Sequence, residues 1–162
     1  MTPFDQLELV AEIAAALLGF FAIFQALSTR EGRFTESDRH FVQALVMSSS
    51  IAIIVAMTPR VISLFDTIES IWQIATAVAL TLGSVAIVMQ ARQQLRMTRE
   101  EAAQIHWLWH VGAWVLAAVA AVFFTLGLFS AEQITAYYVA GASLLIPLCL
   151  WVFIGVVFRR FF

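Results

Sequence analysis

The chain has 162 residues, is 62% hydrophobic and only 12% charged, and has a mean hydropathy of +0.90, whereas about a quarter of a soluble domain's residues are charged. A net charge of -2 with no basic patch speaks against a nucleic-acid binder. The lone Cys149 leaves no disulfide framework and no cysteine-rich metal spacing, and reads as a small apolar filler.

In chain order, apolar stretches run from Leu7 to Leu27, His40 to Leu64, Ile71 to Ala91, Trp107 to Phe129 and Ala136 to Val157. Each is long enough to span a bilayer, because about 20 apolar residues cover a hydrocarbon core of about 30 Å. The first lacks a basic segment before it and is longer than a signal-peptide core, so it is expected to be retained as a helix. All nine cationic residues are arginines, and eight fall after the first and third stretches or at the C-terminus, leaving Arg60 alone on the other side. Since positive loops mark the cytoplasmic face, the sequence predicts an all-α bundle of five transmembrane helices with the N-terminus outside and the C-terminus cytoplasmic. The whole chain, residues 1–162, is expected to be one membrane domain, with helices near 3–28, 36–65, 67–97, 99–129 and 131–160.

Each predicted helix begins with a capping pattern: Thr2 with Asp5, Thr35 with Asp38, Asp66 with Glu69, Thr98 with Glu101, and Ser130 with Gln133. Pro59 and Pro147 fall inside helical stretches and are expected to bend them. Trp72, Tyr137 and Tyr138 are expected at the outer interface, and Trp107 and Trp109 at the inner one, as aromatic anchors.

Polar residues within the apolar stretches carry the functional expectations. Asp5, Glu8, Glu12, Ala15, Ala16, Gly19 and Ala26 share a sector of about 100° on the first helix. Glu12 lies about 8 to 9 Å inside the apolar region at 1.5 Å per residue, a depth at which a carboxylate needs water, a partner or a proton. Two readings stay open. Glu8, Glu12, Ala15 and Gly19 line an ion pathway in an oligomer, or Glu12 pairs with Arg60, which lies at the same depth, while Ala11, Ala15 and Gly19 serve close helix packing. A second polar stripe, Asp66, Glu69, Gln73, Thr76 and Ser84, runs along the third helix, and a shorter one, His40, Gln43, Met47 and Ser50, along the second. His106 and His110 are one turn apart, but the sequence sets no third ligand beside them. No metal site, cofactor or enzyme motif is expected, and without lysine no retinal Schiff base can form.

The Ala11-Glu12-Ile13 and Gly19-Phe20 elements, the loop ending Arg33-Phe34-Thr35, and Pro59 near the end of the second helix resemble a group of small, uncharacterised multi-helix bacterial inner-membrane proteins. The likeness covers about the first 70 residues and Trp72. It implies bacterial inner-membrane residence, singles out Glu12 and Gly19, and implies no activity.

The expected function is a small homo-oligomeric ion channel, cation-preferring, with an acidic outer mouth. The alternatives are a non-conducting scaffold or accessory subunit docking a membrane partner through the cytoplasmic hairpin around Arg92 to Glu101, and a proton-coupled small-solute transporter titrating Glu12. The lipid bilayer and further copies of the chain are the expected partners.

Overall fold

A computed structural model describes residues 2–30, 36–65, 71–96 and 107–161. They form α1 (Pro3–Arg30), α2 (Glu36–Ile62), α3 (Ile71–Arg96), α4 (Trp107–Phe129), a 3-10 turn (Ala131–Gln133), α5 (Ile134–Ser143) and α6 (Leu145–Phe161), with no strand among the described residues. Five segments are long and apolar enough to cross a membrane: Pro3–Ile23, His40–Ile62, Ile71–Arg96, Trp107–Phe129 and Ala131–Val157. The protein is thus all-helical and suited to a multi-pass membrane position.

Local chemistry sets the helix ends. Thr2 and Asp5 form the expected reciprocal cap, the Thr2 amide donating to the Asp5 carboxylate at 2.6 Å and the Asp5 amide to Thr2 Oγ1 at 3.2 Å. Ser130 departs from expectation, because its side chain makes no cap bond. Its carbonyl accepts from the Gln133 amide instead, and the chain makes a 3-10 turn before α5 starts. The expected helix 131–160 is therefore interrupted twice, here and at Leu144. Pro147 explains the second break, since it has no N–H for the Ser143 carbonyl one turn back. The pairs Asp66 with Glu69 and Thr98 with Glu101, and the expected helix starts at 67 and 99, lie outside the described residues, as does Thr35.

Buried positions on α1 recur at Leu7, Val10, Ala11, Ala14 and Phe21, the spacing of a single helical face. That face packs on α2, α5 and α6, while α2 also meets α3 and α6, and α4 meets α3, α5 and α6. The helices thus close a ring in which α2 touches α6 across the middle. At one end, called here the Tyr138 end, Trp72 lies against Phe4 and Tyr138, and Phe124 packs on the other side of Tyr138. At the opposite, His40 end, Phe21, Phe41, Leu45, Val152 and Val156 join α1, α2 and α6, with Trp109 of α4 packed against them.

Tyr138 is not an interfacial anchor but is wholly buried, and its hydroxyl donates to the Val55 carbonyl at 2.6 Å. The reason is on α2. Val55 lies four residues before Pro59, which has no N–H to return, so the Val55 carbonyl has lost its helical donor. A neighbouring helix supplies one, as apolar surroundings require. α2 accordingly continues through Pro59 to Ile62. Trp109 is half-buried and its ring is tilted against that of Trp151, with centres 5.0 Å apart.

Replacing Tyr138 with Phe removes one buried hydrogen bond, an expected loss of about 1 to 3 kcal/mol because the carbonyl is left bare. In a Pro59→Ala background the restored amide satisfies Val55 within α2, so the same replacement should cost well under half as much. Equal losses in the two backgrounds, measured by reversible unfolding in detergent, would refute the link.

Candidate functional site

The first expected site lies on the outward face of α1. Glu8, Glu12, Ala15 and Gly19 are all exposed, and a side chain added at Gly19 would meet nothing within 4 Å. Ala11, assigned to the same packing row, is buried in the core. A four-residue step advances 400°, so the row drifts about 40° per turn and leaves the interface within two turns. Arg60 pairs with Glu8 at 2.8 Å, and not with Glu12 one turn further along. Equal depth was a sound expectation for the two residues, but the azimuth of the guanidinium decides its partner. The pair is about half exposed at each partner, and Glu12 makes no ion pair or hydrogen bond with a described residue.

The α3 stripe does not form one lining. Gln73 is exposed, Thr76 is buried with its hydroxyl donating to the Trp72 carbonyl at 2.6 Å, and Ser84 stands at the edge of an interior cavity. Asp66, Glu69, His106 and half of the hairpin around Arg92 to Glu101 lie outside the described residues. Among those searched, no three histidine, cysteine or acidic side chains are placed to hold a metal.

The best-formed site is that cavity, about 170 Å3 between α2, α3, α4 and α6, room for roughly a dozen waters at about 10–15 Å3 apiece. Small residues line it on two helices, Ala79, Gly83 and Ala86 on α3 and Ala113, Ala117 and Ala120 on α4. Indoles line it at the His40 end. Gly112 leaves the space in which the Trp151 ring lies against α4, and the Trp151 N–H donates to the Trp109 carbonyl at 3.1 Å. From His40 to Val55 on α2 the lining extends 15 residues, about 22 Å of helix.

One end of the cavity is polar and the rest is apolar. Gln90 Nε2 lies 3.1 Å from His40 Nε2, and Gln94 Nε2 lies 3.0 Å from His110 Nδ1. The two imidazoles are tilted against each other with centres 6.0 Å apart. Trp114 Nε1 donates to Gln94 Oε1 at 3.3 Å, and Gln93 donates to Gln43 Oε1 at 3.1 Å beside the cluster. The oxygens of Gln90 and Gln93 are buried without partners. Among the described residues, no aspartate, glutamate, lysine or arginine lines the cavity. At the far end Phe124 and Val55 close it beneath Tyr138.

Of the α2 stripe, His40 and Met47 face the cavity, Gln43 bonds to Gln93, and Ser50 is half-buried. Sequence reasoning named His40 and His110 separately and passed over Gln90, Gln94 and Trp114. A signal was present: Gln90, Gln93 and Gln94 follow the i, i+3, i+4 spacing of one helix face. No family model, curated protein or solved structure matches the chain.

Glu8 and Arg60 should couple in a double-mutant cycle of glutamine substitutions by no more than about 1 kcal/mol, as exposed ion pairs do. The Glu12 and Arg60 substitutions should be additive within about 0.5 kcal/mol. The reverse ordering would restore the deeper pair.

Proposed function

We propose that the protein is a membrane-embedded receptor or carrier for a single-tailed amphiphile, which enters the cavity from the leaflet at the His40 end. The carrying observation is the division of that cavity, apolar along its length with its hydrogen-bonding cluster gathered at one end. Ligand sites are typically concave, mostly apolar and fitted with a few convergent polar groups. The cavity's length of about 22 Å exceeds one leaflet's share, about 15 Å, of the hydrocarbon core. The arginine distribution assigns the His40 end to the cytoplasmic side, so the polar cluster lies at headgroup level and the tail extends toward Tyr138.

A homo-oligomeric, cation-preferring channel is the second reading, favoured by a separate observation: the outward α1 face with Glu12, Ala15 and Gly19 left bare. A carboxylate at that depth is costly against lipid. A ring of copies would gather Glu8 and Glu12 around an axial mouth.

Binding is tested with an alkyl probe carrying a photoreactive group at mid-chain, added to purified protein in detergent. Saturable labelling on α3 and α4 at cavity-facing positions such as Ala86 and Ala117 is expected, reduced at least about tenfold in Gly83→Phe. That phenylalanine has open space to enter, since nothing lies within 4 Å of a side-chain carbon at Gly83. Labelling that never saturates, or that Gly83→Phe leaves unchanged, defeats the reading. For the channel, a planar bilayer under a salt gradient should give a reversal potential near the cation value, moved toward zero in Glu12→Gln with assembly intact. A silent bilayer with verified incorporation eliminates it.

A further inference from the structure

The far end of the cavity limits the length of tail that fits it. Three walls line it over the same 15 residues of helix, His40 to Val55 on α2, Gln94 to Ala79 on α3 and Trp109 to Phe124 on α4. At 1.5 Å per residue all three give one depth, about 22 Å. The floor is the buried ring of Phe124, beside Val55, Ala79 and Leu145, the end residues of the other walls. That ring is held from behind. Tyr138 packs on it with centres 5.3 Å apart, and a side-chain carbon at Gly141 would meet it at 3.0 Å, so the α5 backbone lies directly against it. Tyr138 itself is wholly buried, with Trp72 against its ring. A tail that reaches Phe124 therefore meets packed aromatic rings.

The wall between the polar cluster and this floor suits a hydrocarbon chain. From Gln90 downward α3 presents Ile87, Ala86, Gly83 and Leu80, and the Ser48 hydroxyl on α2 already donates to the Leu45 carbonyl at 3.1 Å. An extended chain advances about 1.2 Å per bond, as three backbone bonds cover at most about 3.6 Å. The run from Gln90 to Ala79, about 16 Å, takes about 14 carbons, and the run from Gln94, about 22 Å, takes about 18. Resting on the reading of the cavity as an amphiphile site, we propose that it measures tail length, seating unbranched chains of up to about 14 to 18 carbons, and that Phe124 sets the limit. Hydrocarbon surrounds the tail both in the cavity and in the bilayer, so methylenes within the limit alter affinity little. Surplus methylenes crowd against a packed floor and cost what overpacking costs. The signature is a plateau followed by a drop.

The test is a series of saturated primary alcohols from octan-1-ol to docosan-1-ol, each with a photoreactive group beside its hydroxyl end, so that one reactive position serves every length. Labelling of α3 and α4 peptides should half-saturate at similar concentrations through the middle of the series and weaken at least about tenfold beyond the limit. Phe124→Leu keeps an apolar side chain on Tyr138 but reaches less far, and should move the drop about two carbons longer. Gly83→Leu raises a floor four residues nearer the polar end, in space where nothing lies within 4 Å of a side-chain carbon. It should move the drop about five carbons shorter while octan-1-ol still labels. Gly83→Leu decides alone should Phe124→Leu fail to fold. If labelling saturates but shows no drop up to docosan-1-ol, or if the drop stays in place in either folded variant, the length limit falls while the cavity reading survives. If no member of the series labels saturably, the cavity reading itself falls and takes the limit with it.

Discussion

The hydrogen bond from Tyr138 to the Val55 carbonyl is the constraint around which the bundle is arranged. Pro59 withholds the amide that would satisfy that carbonyl within α2, and in an apolar environment an unmet carbonyl is expensive. The donor must come from another helix, which brings α5 against α2 and buries the whole Tyr138 side chain. Trp72 of α3 and Phe124 of α4 then close over the same ring, with centres at 5.6 and 5.3 Å. Four helices are thereby fixed at one end by a single aromatic side chain. Gly141 makes this possible on α5, since a Cβ there would meet the Phe124 ring at 3.0 Å.

Closure at that end has a consequence at the other. α3 is held by the aromatic cluster near its start, but toward its end its contacts with α4 are polar side chains, Gln94 with His110 and Trp114. Alanine and glycine rows would let two helices approach closely. Here the Trp109 and Trp151 indoles occupy the junction of α4 and α6. Large rings and small residues thus stand side by side in the cavity lining.

What the sequence made legible was what depends on distance along the chain. Span lengths, the Thr2 with Asp5 cap and the Pro147 interruption are local, and the structure contains each of them. Relations between helices were less accessible. Depth alone put Arg60 level with Glu12, but nothing in a single sequence fixes the rotation of α1 against α2, and Glu8 takes the partner. Tyr138 looked like an interfacial residue because its position along the helix suits one. Its burial follows from a proline 79 positions earlier in the chain. His40 and His110 are separate polar marks in the sequence, and the fold places their rings side by side, 6.0 Å apart.

The two candidate regions are chemically distinct, and this separates the functions each can serve. The described residues of the interior offer neutral donors and acceptors and a long apolar wall, so a bare cation entering along that wall would exchange hydration for hydrocarbon at a cost of order tens of kcal/mol. The Tyr138 cluster blocks the far end as well. An ion path through one protomer is therefore opposed both by dielectric and by packing, and conduction would have to run between copies along the α1 face, where Glu12 stands clear of the core. Among the described residues the lining carries no charge, which makes the interior a poor conduit, and the gathering of its hydrogen-bonding groups at one end is what the amphiphile reading rests on.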